Sequence, residues 1–337
     1  MTPMKPVIFG CAGLALTEDE RRFFAAERPC GLIVFKRNCA SVPQLRALVA
    51  SFREIVGDPL APAFVDQEGG RVLRLKAPAW WQAPAAGKIG KLADADLPGA
   101  VQLAHDVGAA IGAQLAEVGI NVDFAPCLDV LFPYTHDAIG DRAFHRDPKV
   151  VAKLGRAYVD GLATFGVQAT LKHLPGHGRA KLDSHYDLPV IEASREELEI
   201  DLAPFRALND LPWGIVSHLV TPALGDSEPA TTSAKIVEKI IRGAIGFEGL
   251  LVTDDISMKA LKAPVEVSSK RALDAGSDIV CHCNGDMAEM APIAAALAPM
   301  DAKLAARFEA IRKPARNASF ADVADLAASI DARVSAA

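Results

Sequence analysis

The chain has 337 residues, of which 50% are hydrophobic and 23% charged, with a formal net charge of −6. A composition this apolar excludes intrinsic disorder, and an acidic balance with no basic block speaks against a nucleic-acid partner. No apolar run approaches the roughly 18 residues that a membrane span requires, and the length suffices to bury a large core without disulfides or a structural metal.

The chain begins MTPMKPVIFGCAGLALTEDE, a short apolar stretch with two glycines that passes quickly into acidic residues. That order reads as a first strand and a helix start rather than a secretory signal, so a cytoplasmic protein with no membrane partner is expected. Apolar runs then recur at 7–15, 31–35, 61–65, 120–125, 166–171, 213–216, 249–253 and 278–281. Most are continuous rather than alternating, as in parallel strands covered on both faces. Segments of helical period separate them. Val101, Ala104, Val107, Ile111, Leu115 and Val118 mark one buried stripe. Further on, Ser233 is placed to cap a helix whose inner face is Ile236, Val237, Ile240 and Ile241 and whose end is Gly246. Eight strands alternating with helices predict a (β/α)8 TIM-type barrel, with a doubly wound open sheet as the competitor. The stretch 77–99, rich in Pro, Ala and Gly, reads as a long loop carrying Trp80 and Trp81. The alanine-rich segment from about Met287 reads as extra helices that close the barrel and pack on its outside, within a single catalytic domain spanning 1–337.

The six cysteines, at 11, 30, 39, 127, 281 and 283, have no framework spacing, so reduced thiols are expected. Cys281-His282-Cys283 is the one cluster resembling metal ligands. On a strand its two thiols share a face and His282 points away, and no second ligand pair lies nearby in sequence. No metal and no organic cofactor are expected.

In a parallel barrel, chemistry sits where strands end. The third run leads into Asp66-Gln67-Glu68-Gly69-Gly70-Arg71 with Arg74 beyond, and the fourth through Asp123 and Asp129 to Gly140-Asp141-Arg142. The fifth leads into Lys172-His173-Leu174-Pro175-Gly176-His177-Gly178 and then Asp183-Ser184-His185. The sixth ends in Ser217-His218 and the seventh in Thr253-Asp254-Asp255. Each has a structural alternative. A lone Asp after a strand often caps a helix, His218 suits a hydrogen-bonded wall, His177 suits either loop architecture or substrate, and Glu68 suits bracing a cation such as Arg71. Adjacent Asp254 and Asp255 cannot both be expected to point into the mouth. As a set, the residues are harder to assign to architecture alone. Asp183 two residues before His185 can accept an imidazole N–H, fixing the tautomer of a proton shuttle. Asp254 adds a carboxylate from another strand, and a carboxylate plus a proton shuttle is what retaining glycosidic cleavage needs. Asp66, Arg74, Arg142 and Lys172 suit recognition of hydroxyl and amide groups.

The segments VDQEGGRVLR from Val65, GDRAFHRDP from Gly140, KHLPGHG from Lys172, DSH from Asp183 and GLLVTDDISM from Gly249 resemble, in order, those of glycoside hydrolase family 3. The resemblance is strongest to its single-domain bacterial β-N-acetylglucosaminidases (β-hexosaminidases) of peptidoglycan recycling. It implies a nucleophile at Asp254, an acid/base at His185 on a mobile loop with Asp183 as its partner, and a GlcNAc held by Asp66, Arg74, Arg142, Lys172 and His173. The implied substrate is a β-GlcNAc saccharide or GlcNAc-containing muropeptide; separately, a monomer is expected. Leu174 and Ile256 depart mildly from the family pattern, which often has Phe and Leu there. Three alternatives stay open: a phosphorylase using inorganic phosphate as acceptor, a metal-dependent barrel hydrolase with His173, His177, Asp183 and His185 as ligands, and a non-catalytic sugar-binding protein. A sugar-stacking role for Trp80 and Trp81 is a further expectation.

Overall fold

Each of the eight apolar runs contributes a strand, because a continuous stretch of Val, Ile, Leu and Phe is stable only where both faces are covered. The computed structural model describes residues 4–184, 186–316 and 318–336. Its strands are β1 (Lys5–Phe9), β2 (Pro29–Val34), β3 (Ala63–Val65), β4 (Val122–Asp123), β5 (Thr170–Leu174), β6 (Trp213–Val216), β7 (Leu250–Asp255) and β8 (Ile279–His282). All named pairs are parallel, in the order β4-β3-β2-β1-β8-β7-β6-β5. The two ends of that ladder meet. The Asp123 N–H donates to the Gln168 carbonyl at 2.8 Å, the Thr170 N–H to Ala125 at 2.9 Å and the Leu128 N–H to Lys172 at 2.8 Å. The sheet is therefore a (β/α)8 barrel, and the open doubly wound sheet is ruled out, since it would leave β4 and β5 as unpaired edges.

The helices α1 (Glu18–Glu27), α2 (Val42–Val56), α3 (Ala86–Ala93), α4 (Leu97–Glu117), α5 (Pro148–Thr164), α6 (Arg195–Ala207), α7 (Val265–Asp274) and α8 (Met287–Ala296) accompany these strands. The helix after β6, Ile236–Ala244, is wound with the wider π spacing. The Ser233 hydroxyl accepts the Ile236 N–H at 3.1 Å, the four expected apolar residues are buried, and Gly246 follows with φ +75°. Of the α4 stripe, all but half-buried Val101 lies in the core. Two glycines let α4 and α5 touch backbone to backbone: a Cβ on Gly108 would lie 2.2 Å from the Tyr158 carbonyl, and one on Gly161 2.1 Å from that of His105. This approach buries Tyr158, whose hydroxyl donates to the Gln67 carbonyl at 3.2 Å behind the barrel mouth.

Several expectations need correction. β1 ends at Phe9 rather than continuing to Ala15, because the backbone at Gly10 comes so close to Cys283 that a Cβ would lie 2.3 Å from its carbonyl. The stretch 77–99 is not all loop, since α3 and the start of α4 lie within it. The C-terminal segment closes the barrel as expected, but not from the outside alone. After α8, α9 (Ala302–Ile311) crosses the end of the barrel where the strands begin. Phe308 packs edge-on against Trp213 in the barrel interior, with ring centroids 6.2 Å apart, and belongs to the same cluster as Ile8, Phe64 and Val252. Asn121 and Gln168, just before β4 and β5, donate to the carbonyls of Lys313 (2.7 Å) and Ile311 (2.8 Å). α9 is thus a plug that satisfies strand-end polar groups. α10 (Ala324–Ala336) packs on α4, where Arg333 pairs with Asp106 at 2.8 Å. Among the described residues no helix is long and apolar enough to cross a membrane.

Candidate active site

A cleft of about 330 Å³ opens at the C-terminal ends of the strands. Its wall includes Asp66 after β3, Arg142 from the β4 loop, Lys172 and His173 from β5, Asp183 and Ser184 from the following loop, and Asp254 from β7. His185 lies outside the described residues. Asp66, Arg74, Arg142, Lys172, His173, Asp183 and Asp254, all expected at the site, therefore share one cavity. Lys172 and His173, expected at the end of the fifth strand, stand in the last three residues of β5. Both border the cleft because the ladder to β6 shifts register between Leu171 and Leu174.

The β3 loop is built around Gln67. Its side-chain carbonyl accepts the N–H groups of Arg74 (2.8 Å) and Leu75 (3.1 Å), and its own N–H donates to Asp123 at 2.9 Å. Gly69 and Gly70, at φ +108° and +58°, turn the chain back so that Arg74 returns over Asp66. The two oxygens of Asp66 are then divided between Arg74 (Nη2, 3.0 Å) and Lys172 (Nζ, 3.1 Å). Glu68 also pairs with Lys172 and takes a bidentate contact from Arg142 at 2.8 and 2.7 Å. Glu68 does brace cations, but they are Arg142 and Lys172; Arg71 turns instead to Asp141 at 3.3 Å. Burial works against charge on Asp66 and Glu68, yet Lys172 and Arg74 hold Asp66, and Arg142 and Lys172 hold Glu68, below the usual carboxylate range.

A second network fixes the histidines. Arg142 Nη2 has only protons to offer, so His173 Nε2 accepts from it at 3.2 Å and His173 Nδ1–H donates to Asp129 at 2.7 Å. The other Asp129 oxygen takes the His177 N–H at 2.6 Å. Burial opposes charge on Asp129, but these partners bring its carboxyl down to about 2. His177 faces the cleft, and burial lowers its ring to about 4, so it is neutral near pH 7. Asp123 differs: burial raises its carboxyl to about 8, and its second oxygen has no hydrogen-bond partner among the described residues.

On β7 both aspartates border the cleft, where the ladder to β8 is irregular between Val252 and Asp255. They are not equivalent. Asp255 accepts from Ser257 N–H and hydroxyl at 3.1 and 2.9 Å and from Cys283 N–H at 3.3 Å, so its carboxylate organises the strand end. His218 is buried and absent from the cleft wall, bonded to Thr231 (2.7 Å) and to the Asp255 carbonyl (2.9 Å). Cys281 and Cys283 line the cleft together while His282 turns to Glu289 at 2.7 Å, as strand alternation requires. Trp80 and Trp81 are not in the cleft wall. Trp81 stacks on Phe320 at 6.3 Å and donates to Asp331, fastening the C-terminal segment, so the sugar-stacking expectation fails.

Residue-by-residue reading gave no role to Gln67, Phe35 or Asp129's grip on His173. Phe35 directly follows β2, and the guanidinium of Arg74 lies 5.0 Å from its ring centroid, so position after a strand was its available signal.

A parallel barrel that gathers carboxylates, their paired cations and two histidines at the C-terminal ends of its strands defines a barrel enzyme with a polar cleft. Comparison with known proteins agrees. Residues 8–312 match the glycosyl hydrolase family 3 N-terminal domain. A beta-hexosaminidase of Chromobacterium violaceum is 39% identical over 312 residues, covering 91% of this chain and 86% of that one. One from Bordetella avium is 38% identical over 289 residues, covering 84% and 82%. The crystal structure of NagZ from Neisseria gonorrhoeae in complex with N-trifluoroacetyl-D-glucosamine superposes with a TM-score of 0.89 at 31% identity, covering 99% of this chain and 98% of that one. The chain belongs to glycosyl hydrolase family 3 and is a glycoside hydrolase.

Proposed function

We propose that the protein is a retaining β-N-acetylglucosaminidase that removes terminal, non-reducing β-linked GlcNAc. The observation that carries this reading is the gathering of Asp254, Asp183, Asp66, Arg142, Lys172 and His173 around one cleft in a chain whose relatives bear the name beta-hexosaminidase. Asp66, Arg74, Arg142, Lys172 and His173 hold the sugar. Asp66, kept anionic by its cations, accepts hydroxyl hydrogens, and Arg142 and Lys172, positioned by Glu68, donate to hydroxyl and amide oxygens.

Asp254 attacks the anomeric carbon while protonated His185 gives its proton to the departing glycosidic oxygen, leaving a glycosyl ester on Asp254. Neutral His185 then takes a proton from water, the resulting hydroxyl attacks the anomeric carbon, and Asp254 leaves as carboxylate. Two inversions give net retention. Asp183 accepts the imidazole N–H and stabilises the cationic form. The loop from Gly176 to His185 closes over substrate to bring His185 to the bond. The whole chain acts as one catalytic domain, as a cytoplasmic monomer, on GlcNAc-bearing muropeptides released during peptidoglycan recycling.

Release of p-nitrophenol from its β-N-acetylglucosaminide tests the reading, with wild type compared against Asp254→Asn. The expected result is wild-type hydrolysis to free GlcNAc and a loss of several orders of magnitude in the variant. No wild-type turnover, or an Asp254→Asn enzyme as fast as wild type, would overturn it. Formation of GlcNAc 1-phosphate on addition of phosphate would identify a phosphorylase instead.

A further inference from the structure

The Cys281–Cys283 pair takes no part in the proposed hydrolysis, yet it borders the same cleft. The two sulfurs lie 3.7 Å apart. They are held there by backbone: Cys281 N–H donates to the Thr253 hydroxyl at 3.0 Å, and Cys283 N–H to Asp255 at 3.3 Å. A tetrahedral metal with metal–sulfur bonds of about 2.3 Å sets two thiolates about 3.8 Å apart. The sulfurs therefore already stand at chelating distance. The geometry points to a binding site for one soft, thiophilic divalent cation of the zinc and cadmium class, held by Cys281 and Cys283 at the wall of the sugar cleft.

The surrounding charge favours a cation over free thiolates. The carboxylates of Asp66 and Asp255 border the same stretch of cleft as the two thiols. The same carboxylates attract a divalent ion. Binding replaces two S–H protons with two metal–sulfur bonds and releases both protons, so the added charge balances and no redox change occurs. Asp66, Asp254 and Asp255 line the cleft alongside the thiols, so an ion seated there obstructs sugar entry. Among the described residues the one set of three possible ligand groups close to one another is Cys127, Asp129 and His173, but there Asp129 already holds His173 and the backbone N–H of His177. It serves as the control.

Cadmium chloride is titrated into the full-length protein without substrate, and the ultraviolet cadmium–thiolate charge-transfer band is followed. Binding of one equivalent is expected, with an apparent affinity that rises by up to about a hundredfold per pH unit because two protons leave. Cys281→Ser and Cys283→Ser each weaken binding more than tenfold, and Cys127→Ser leaves it unchanged. A missing band in wild type, or one that survives in both serine variants, would overturn the assignment. Phenylarsine oxide on the wild-type protein avoids any folding defect, since it forms two As–S bonds with a close thiol pair and releases water. Peptide mapping should find the bridge on Cys281 and Cys283, and a bridge elsewhere or none would also overturn the site. Neither readout involves turnover, so failure here is distinguishable from failure of the proposed hydrolysis.

Discussion

Glu68 and Arg142 meet through two parallel hydrogen bonds, 2.8 and 2.7 Å long, that join the loops after β3 and β4 at the barrel mouth. The same guanidinium reaches His173, and the same carboxylate pairs with Lys172. One buried carboxylate therefore positions three of the proposed sugar-binding residues. Such a group cannot be removed singly without leaving charge uncompensated.

Glu68→Gln keeps the size of the side chain but leaves Arg142 and Lys172 short of an anion. Breaking a buried pair in this way costs about 3–5 kcal/mol. Urea unfolding should show a loss of that size, together with a raised KM as Arg142 and Lys172 lose their fixed positions. Unfolding indistinguishable from wild type would show that water replaces the pair.

Asp123 gives stability an unusual dependence on pH. The folded protein keeps its proton up to about pH 8, whereas the unfolded chain releases it near pH 4. The folded state thus binds more protons between these values, and stability contributed by this group is full below about pH 4 and declines as pH rises towards 8. The decline is at most about 1.4 kcal/mol per pH unit. Asp123→Asn, which retains an oxygen for the Gln67 N–H, should flatten that slope and be the more stable protein at pH 8. Denaturant midpoints at pH 5 and 8 measure it, and equal slopes in both proteins would count against a retained proton.

Asp66, Glu68 and Asp129 act with the opposite sign. Their carboxyls are held low in the folded state, so the stability they give is present above about pH 4 and is lost as pH falls further. Acid unfolding of Glu68→Gln should therefore be less steep below pH 4 than that of wild type.

Phe308→Ala empties the plug beneath the barrel. Removing a buried phenylalanine costs about 3–5 kcal/mol, and the cavity would lie against Trp213 at the end opposite the cleft. Lower stability with an unchanged KM is expected. An altered KM would mean that the plug also sets the geometry of the mouth.

Trp81→Ala distinguishes fastening from sugar stacking. The indole faces Phe320 and Asp331, so the variant should lose about 0.5–1.5 kcal/mol of stability with kcat and KM unchanged. A rise in KM for a short substrate would restore the stacking role.

The barrel was legible because its determinants are local. Continuous apolar runs such as 213–216 and 249–253 require cover on both faces, and the intervening periods of 3.6 residues supply it. The positions of Asp66, Lys172 and Asp254 were legible for the same reason, since each lies near the end of a strand where a barrel places its mouth, and Arg142 belongs to the long loop that follows β4. Strand alternation likewise placed Cys281 and Cys283 on one face and His282 on the other. What sequence could not decide were the partnerships. That Glu68 serves Arg142 and Lys172 rather than Arg71, that Asp129 orients His173, and that Phe308 fills the barrel floor depend on residues far apart in the chain meeting in space. Only closure of β4 onto β5 and the return of α9 beneath the strands bring those groups within hydrogen-bonding or packing distance, and such contacts leave no periodicity in the sequence.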